Sequence, residues 1–235
     1  MESFLLEQKK IAHRGFHNEQ IPENSLAAFQ KAIEKGYPIE LDLHIIKDGT
    51  IIVFHDDNLK RMTEINKDVK DLEVSDLSTI YLKDSMEKIP TFSQVLKLIN
   101  GQVSLVIELK YDVKKNKLDR AVAEILDNYH GEYVVKSFWP FSVLWWRIHR
   151  PEVKRGLLIS IKDQKRYKTF LLEHLNWVLK PDFISYQVGF YNRKFIKKMR
   201  KKGIPVLFWT IYNKDEYHKA SEFGTGYLVE KIEKW

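Results

Sequence analysis

Residues 11–25 read IAHRGFHNEQIPENS: an apolar strand end, a glycine turn, a polar loop and the start of a helix. Ile11 and Ala12 form the strand end, His13 and Arg14 fall at its C-terminal edge, and Gly15 turns the chain. A His and an Arg presented together at a strand end suit chemistry on a phosphate. Arg offers a planar fork of donors to the oxygens, and His moves a proton near neutral pH. The same stretch bears on the fold. An open, doubly wound sheet carries a Gly-rich phosphate-binding turn after its first strand, and HRGFHN is not such a turn.

Outward from this unit the chain repeats one theme, a strand-like run followed by a helix-like one. SLAAFQKAIEK (25–35) spaces Leu26, Phe29 and Ile33 on one helical face, with Asn24 as N-cap candidate and Gly36 beyond its end. PIELDLHII (38–46) reads as a strand, KDGT (47–50) as a tight turn and IIVFHD as a second extended piece. Residues 57–90 are polar and weakly periodic, an irregular excursion with room for one short helix. Thr91 and Gln94 have capping-box spacing and open a helix through about Ile99. VSLVIEL (103–109) is the clearest buried strand.

Helices are expected at 117–129, 140–149, 164–176 and 192–202, and after a cap formed by Asn213 and Glu216. They alternate with strands at 132–137, 154–160, 182–186, 204–210 and 227–229. About eight such units in a row argue for a (β/α)8 TIM barrel spanning residues 1–235 as a single domain, with a short irregular insertion after the second strand. The doubly wound sheet is the competing fold.

Composition narrows the class of function. With 235 residues, 44% of them hydrophobic, the chain can bury a large core. Lys and Arg number 39 against 32 Asp and Glu, a formal charge of +7. That excess favours anionic partners, whether nucleic acid, phosphorylated small molecules or anionic membrane surfaces, without choosing among them. The absence of cysteine excludes disulfides, thiolate metal sites and a Cys nucleophile. MESFLLEQKK lacks the basic start and small-residue cleavage site of a signal peptide. FWPFSVLWW (138–146) is far short of the ~20 apolar residues that span a bilayer, so a cytoplasmic location is expected.

The polar residues at strand ends carry the chemistry. Glu40 and Asp42 are two apart and share one face, opposite Ile39, Leu41 and Leu43. In a barrel that face is the interior, where paired carboxylates need a cation or donors. Glu108 and Lys110 repeat the spacing on the next barrel strand. Three carboxylates from two neighbouring strands make an all-oxygen site for one divalent cation, Mg²⁺ or Ca²⁺. His55 closes the run IIVFH on the face of Val53 and Ile51 and is expected to join His13 at the mouth. Two histidines beside such a cation can act as general acid and base in phosphoryl transfer. A single polar residue at a strand end is ordinarily solvated rim; six at consecutive strand ends are harder to dismiss.

These residues, in this order, resemble the glycerophosphodiester phosphodiesterase family. The motifs are His13-Arg14-Gly15, Pro22-Glu23-Asn24-Ser25, Glu40-x-Asp42, Lys47-Asp48-Gly49, His55-Asp56 and Glu108-x-Lys110. IPTFSQVL (89–96), Ser137-Phe138 and Trp209-Thr210 extend the likeness over nearly the whole chain. The resemblance implies a TIM barrel that hydrolyses a glycerophosphodiester to glycerol 3-phosphate and an alcohol with a bound divalent cation. It implies that Glu40, Asp42 and Glu108 hold the metal, that His13 and His55 are the acid–base pair, and that Arg14 and Lys110 neutralise phosphate oxygens. The first attack comes either from the substrate's own hydroxyl or from water.

The chain also departs from the family pattern. Ile46 stands where Thr often precedes KDG, WTVN becomes Trp209-Thr210-Ile211-Tyr212-Asn213, and the acidic ending of the last strand is replaced by LVEKIEKW with Glu230 as the nearest acid. The excursion at 57–90 is short, in a segment that shapes the alcohol side. These differences bear on the leaving group, and a lysophospholipase D using the same site is the alternative.

Of the remaining residues, Trp209 suits packing on the glycerol or the pocket floor. His44 suits a supporting role, and His17 either lines the pocket or is solvated. Trp139, Trp145, Trp146 and the basic helix admit a membrane-surface reading, against a default of core packing and a solvated outer helix. A nucleic-acid binder on a barrel scaffold has only the net charge in its favour and no need of this constellation, so the expected partner is a small-molecule phosphodiester.

Overall fold

The computed structural model describes residues 9–110, 116–160, 175, 178–189 and 193–231. The apolar runs form the strands β1 (Lys9–Ala12), β2 (Ile39–Ile45) with its hairpin partner β3 (Ile51–Val53), β4 (Leu105–Leu109), β5 (Tyr133–Ser137), β6 (Arg155–Ile159), β7 (Phe183–Gln187), β8 (Val206–Ile211) and β9 (Gly226–Val229). All but β3 are parallel, in the order β1-β9-β8-β7-β6-β5-β4-β2, and β1 also pairs with β2. The ring closes into a (β/α)8 barrel. β3 lies outside it, antiparallel to β2.

Both faces of each barrel strand are covered, which is why the strands read as nearly continuous apolar runs. Ile39, Leu41, Leu43, Leu105 and Ile107 pack outward in one cluster with Phe29, Phe92 and Trp146 from the helices. Inside the ring, Ile11, Val106, Val134, Phe183, Leu207 and Leu228 form a second cluster, against which Trp209 packs. Gly156 on β6 makes room for that filling: a Cβ there would lie 2.2 Å from the Phe183 ring.

The helices are α1 (Leu26–Glu34), the short α2 (Lys60–Thr63), α3 (Phe92–Ile99), α4 (Lys117–Leu126), α5 (Pro140–His149), α6 (Lys194–Lys201) and α7 (Lys214–Ser221). α3 carries the expected capping box, with Thr91 and Gln94 each accepting from the other's backbone N–H. α7 is capped by Asn213, which accepts from the Glu216 N–H at 2.9 Å. The N-cap of α1 is Ser25 rather than Asn24, because the Ser25 hydroxyl accepts from Ala28 N–H while the Asn24 amide turns inward to Asp42. On α5, Trp145 and Trp146 are buried and Trp146 Nε1 donates to Asp119 at 2.9 Å, whereas Phe141 and Ile148 are exposed. α6 buries Ile196 and Met199 and turns its Lys and Arg outward. The helix expected at 164–176 lies outside the described residues except for Leu175, and no helix among the described residues is long and apolar enough to cross a membrane.

The excursion at 57–90 is better built than its weak periodicity suggests. Besides α2 it holds two 3₁₀ turns, Val69–Asp71 and Val74–Ser78. Its apolar residues Leu59, Val69, Leu72, Leu77, Ile80, Leu82 and Ile89 close over Ile46, Ile52 and Phe54 in a small core of their own. Turns that contribute one apolar side chain apiece leave no helical or strand period to detect.

Candidate active site

Glu40 and Asp42 on β2 and Glu108 near the end of β4 are buried, with one oxygen of each within 4.8 Å of the others. Register explains the convergence. Asp42 lies opposite Glu108, and Glu108 opposite Lys136, across neighbouring parallel strands. Residues so paired point to the same side of the sheet.

Cations crowd this cluster. Lys110 Nζ is 2.7 Å from Asp42 Oδ1 and 2.5 Å from Glu108 Oε1. Lys136 Nζ is 2.8 Å from Glu40 Oε1 and 3.1 Å from Glu108 Oε2. Arg14 donates its backbone N–H to Glu40 Oε2 at 3.1 Å and holds Nε 3.6 Å from Asp42 Oδ2, which also accepts from Asn24 Nδ2 at 2.9 Å. Burial alone would raise the Asp42 carboxyl, but Lys110, Arg14 and His55 together hold it well below the usual carboxylate range. Glu108 is likewise brought down to about 2 against its burial, chiefly by Lys110 and Lys136.

His13 and His55 each sit against a carboxylate. His13 Nδ1 donates to Glu230 Oε1 at 2.6 Å, with Nε2 turned toward Glu40 Oε2 at 3.9 Å. Burial opposes charge on Glu230, and the bond from His13 outweighs it and lowers that carboxyl. Ring closure makes the pair: β1 lies beside β9, and the His13 N–H continues the ladder to Val229 O at 3.1 Å.

His55 Nδ1 donates to Asp56 Oδ1 at 2.6 Å. It reaches the mouth through the hairpin: Phe54 N–H donates to Asp42 O at 3.0 Å, which sets the next residue beside the acid cluster. Parity with Ile51 and Val53 does not do this, since both of those face the main core. His44 Nε2 donates to the His55 carbonyl at 3.2 Å and so fixes the backbone from beneath.

The excursion ties both arms together. Arg61 Nε donates to Asp56 Oδ2 at 2.6 Å and its Nη2 to Glu23 Oε1 at 2.6 Å, while Glu23 Oε1 also accepts from Arg14 Nη1 at 2.7 Å. Burial works to raise Glu23 and Asp56, yet Arg61, with Arg14 on Glu23 and His55 on Asp56, brings each down to about 2. His17 lies with Nε2 4.0 Å from Glu230 Oε2, and burial pushes its pKa down. Trp209 on β8 is half-buried over the interior apolar layer, edge-to-face with Phe138 at 5.6 Å between centroids.

The residues singled out from the sequence thus fall in one place: His13, Arg14, Glu40, Asp42, Glu108 and Lys110 are linked by successive contacts, His55 lies beside Asp42, and Trp209 lies over the apolar layer. Reading the sequence overlooked Lys136, Asn24, Glu23 and Arg61 as members, and Glu230 as the partner of His13. Lys136 was within reach of the parity rule, since it lies two residues beyond the interior Val134. Arg61 had no local signal.

The mouth of this parallel barrel brings together an acid cluster, the cations Arg14, Lys110 and Lys136, and two carboxylate-oriented histidines, a set of groups suited to a phosphoric diester hydrolase. The sequence model of the glycerophosphoryl diester phosphodiesterase family matches residues 13–228. A glycerophosphodiester phosphodiesterase of Caldanaerobacter subterraneus subsp. tengcongensis is 29% identical, over 93% of this chain and 92% of its own. A lysophospholipase D of Rattus norvegicus is 33% identical, over 96% of this chain and 87% of its own. The structure of an Oleispira antarctica phosphodiesterase in complex with the product sn-glycerol-3-phosphate superposes with a TM-score of 0.82 at 24% identity, covering 94% of this chain and 92% of that one, a likeness of fold. The chain belongs to the glycerophosphoryl diester phosphodiesterase family, hydrolases of glycerophosphodiesters.

Proposed function

We propose that the site releases glycerol 3-phosphate and an alcohol from a small glycerophosphodiester, with His13 and His55 as the acid–base pair and one divalent cation, Mg²⁺ or Ca²⁺, held by Glu40, Asp42 and Glu108. The donor set fits such an ion. All three ligands are hard oxygens, buried and each offering one oxygen within 4.8 Å of the others. When bound, the cation would polarise a phosphoryl oxygen as a Lewis acid. Arg14 and Lys110 neutralise the remaining oxygens as charge gathers in the transition state. One histidine takes the proton of the attacking hydroxyl, from the substrate itself or from water, and the other returns a proton to the departing alkoxide. Glu230 and Asp56 hold the two rings by Nδ1, leaving Nε2 for proton exchange, and stabilise each imidazolium. Trp209 offers an apolar wall to the glycerol.

The observation that carries this reading is the pair of 2.6 Å His–carboxylate bonds on two sides of one acid cluster. The test is release of glycerol 3-phosphate from glycerophosphocholine and glycerophosphoethanolamine with Mg²⁺, with Ca²⁺ and with chelator. Cation-dependent release is expected. The rat relative and the exposed Phe141 at the start of α5 favour one second reading, a lysophospholipid as substrate. Choline release from lysophosphatidylcholine without turnover of glycerophosphocholine would replace the first reading by the second, and inertness toward all three would sink both.

A further inference from the structure

Lys136 is not accounted for by phosphate binding. Its side chain is 1% exposed, against 13% for Lys110 and 15% for Arg14, so it lies beneath the cations that face the mouth. It projects from β5 into the ring with Glu108 as its register neighbour on one side and Gly156, which has no side chain, on the other. Its ammonium is therefore committed to Glu40 Oε1 at 2.8 Å and Glu108 Oε2 at 3.1 Å. Lys110 lies on Asp42 and Glu108, and the Arg14 guanidinium lies between Asp42 and Glu23, which also pairs with Arg61, so the three carboxylates and Glu23 face Lys136, Lys110, Arg14 and Arg61. The cluster is balanced before any metal arrives.

Resting on the divalent-ion reading above, we propose that Lys136 is a resident counter-cation of the metal site, a positioning residue that keeps Glu40 and Glu108 ordered without metal and holds down the affinity for the ion. A divalent ion must enter beside a fixed positive charge within a few ångströms, which weakens its binding. Without that charge, the metal-free cluster would leave the buried Glu40 Oε1 and Glu108 Oε2 without the ammonium that now faces both.

Titration calorimetry with Ca²⁺ and with Mg²⁺ tests this on the full chain, comparing wild type with Lys136→Gln and Lys136→Met. The neutral variants are expected to bind the ion at least about tenfold more tightly and to lose thermal stability in chelator. Loss of a purely structural lysine would also cost thermal stability but would not tighten binding, so unchanged or weaker binding in the variants, with wild-type binding intact, overturns the role of Lys136 alone. Should neither variant fold, the wild type decides: chelator is expected to shift its thermal midpoint by less than about 5 °C, and a larger loss overturns the proposal. No ion binding by any of the proteins overturns the metal reading, and this one with it.

Discussion

The barrel interior holds two layers that differ by one step along the same strands. The lower layer is Ile11, Val106, Val134, Leu207 and Leu228, wholly apolar with Phe183. Two residues further along, the same strands and their ends present His13, Glu108, Lys136, Trp209 and Glu230. That step is about 6.6 Å, and across it the interior passes from hydrocarbon to ion pairs. The apolar floor keeps water from the charges above it, so each carboxylate must find its cation within the protein. Stability resides in the lower layer and chemistry in the upper, and substitutions should separate the two.

The largest effect belongs to the upper layer. His13→Ala and His55→Ala should each lower kcat by about 10³- to 10⁴-fold with an unchanged circular dichroism spectrum. Wild-type turnover in either variant would remove it from the acid–base pair. In the floor, Phe183→Ala should cost about 3–5 kcal/mol of unfolding free energy in urea while leaving activity per folded molecule nearly intact. A large loss of turnover at full folding would erase the division between layers.

Glu40→Gln should weaken ion binding about tenfold or more, read by calorimetry, because the site loses a formal charge and leaves Lys136 underpaired. Acid should act on the upper layer first. Glu23 and Glu108, ordinarily near 4.5, are held at about 2, so their contribution to stability is complete above 4.5 and is lost as the pH falls toward 2. Thermal midpoints measured across that window should fall steadily in the wild type and less steeply in Glu23→Gln. The smallest effect is expected from Arg61→Ala. This half-exposed side chain acts only through Asp56 and Glu23, and a threefold to tenfold loss in kcat, as an order of magnitude, should leave KM little changed. A loss as deep as that of His55→Ala would place Arg61 in the reaction itself.

Much of this arrangement was legible in advance, and the legible part has a common cause. Glu40 with Asp42, and Glu108 with Lys110, could be assigned to one face because strand side chains alternate with a period of two, a local rule that needs no partner strand. Lys136 obeys the same rule and was open to the same reasoning. His55 and Arg61 were not, since β3 stands outside the ring and the excursion packs by single apolar contacts from successive turns. Asn24 shows the limit of local capping signals. It has the chemistry of an N-cap, yet Asp42 claims its amide and Ser25 caps the helix instead.

The sequence by itself determined the alternation of strands and helices, the inward parity of the acids and the motifs that mark the family. All are short-range patterns set by backbone geometry. Tertiary structure alone decided the partnerships. His13 meets Glu230 across 217 positions because β1 lies beside β9 where the barrel closes. Lys136 falls in register with Glu108 and Asp42 because β5, β4 and β2 lie side by side, and its ammonium reaches Glu40 two strands away. Closure of a ring is a relation among strands far apart in the chain, and no local period contains it.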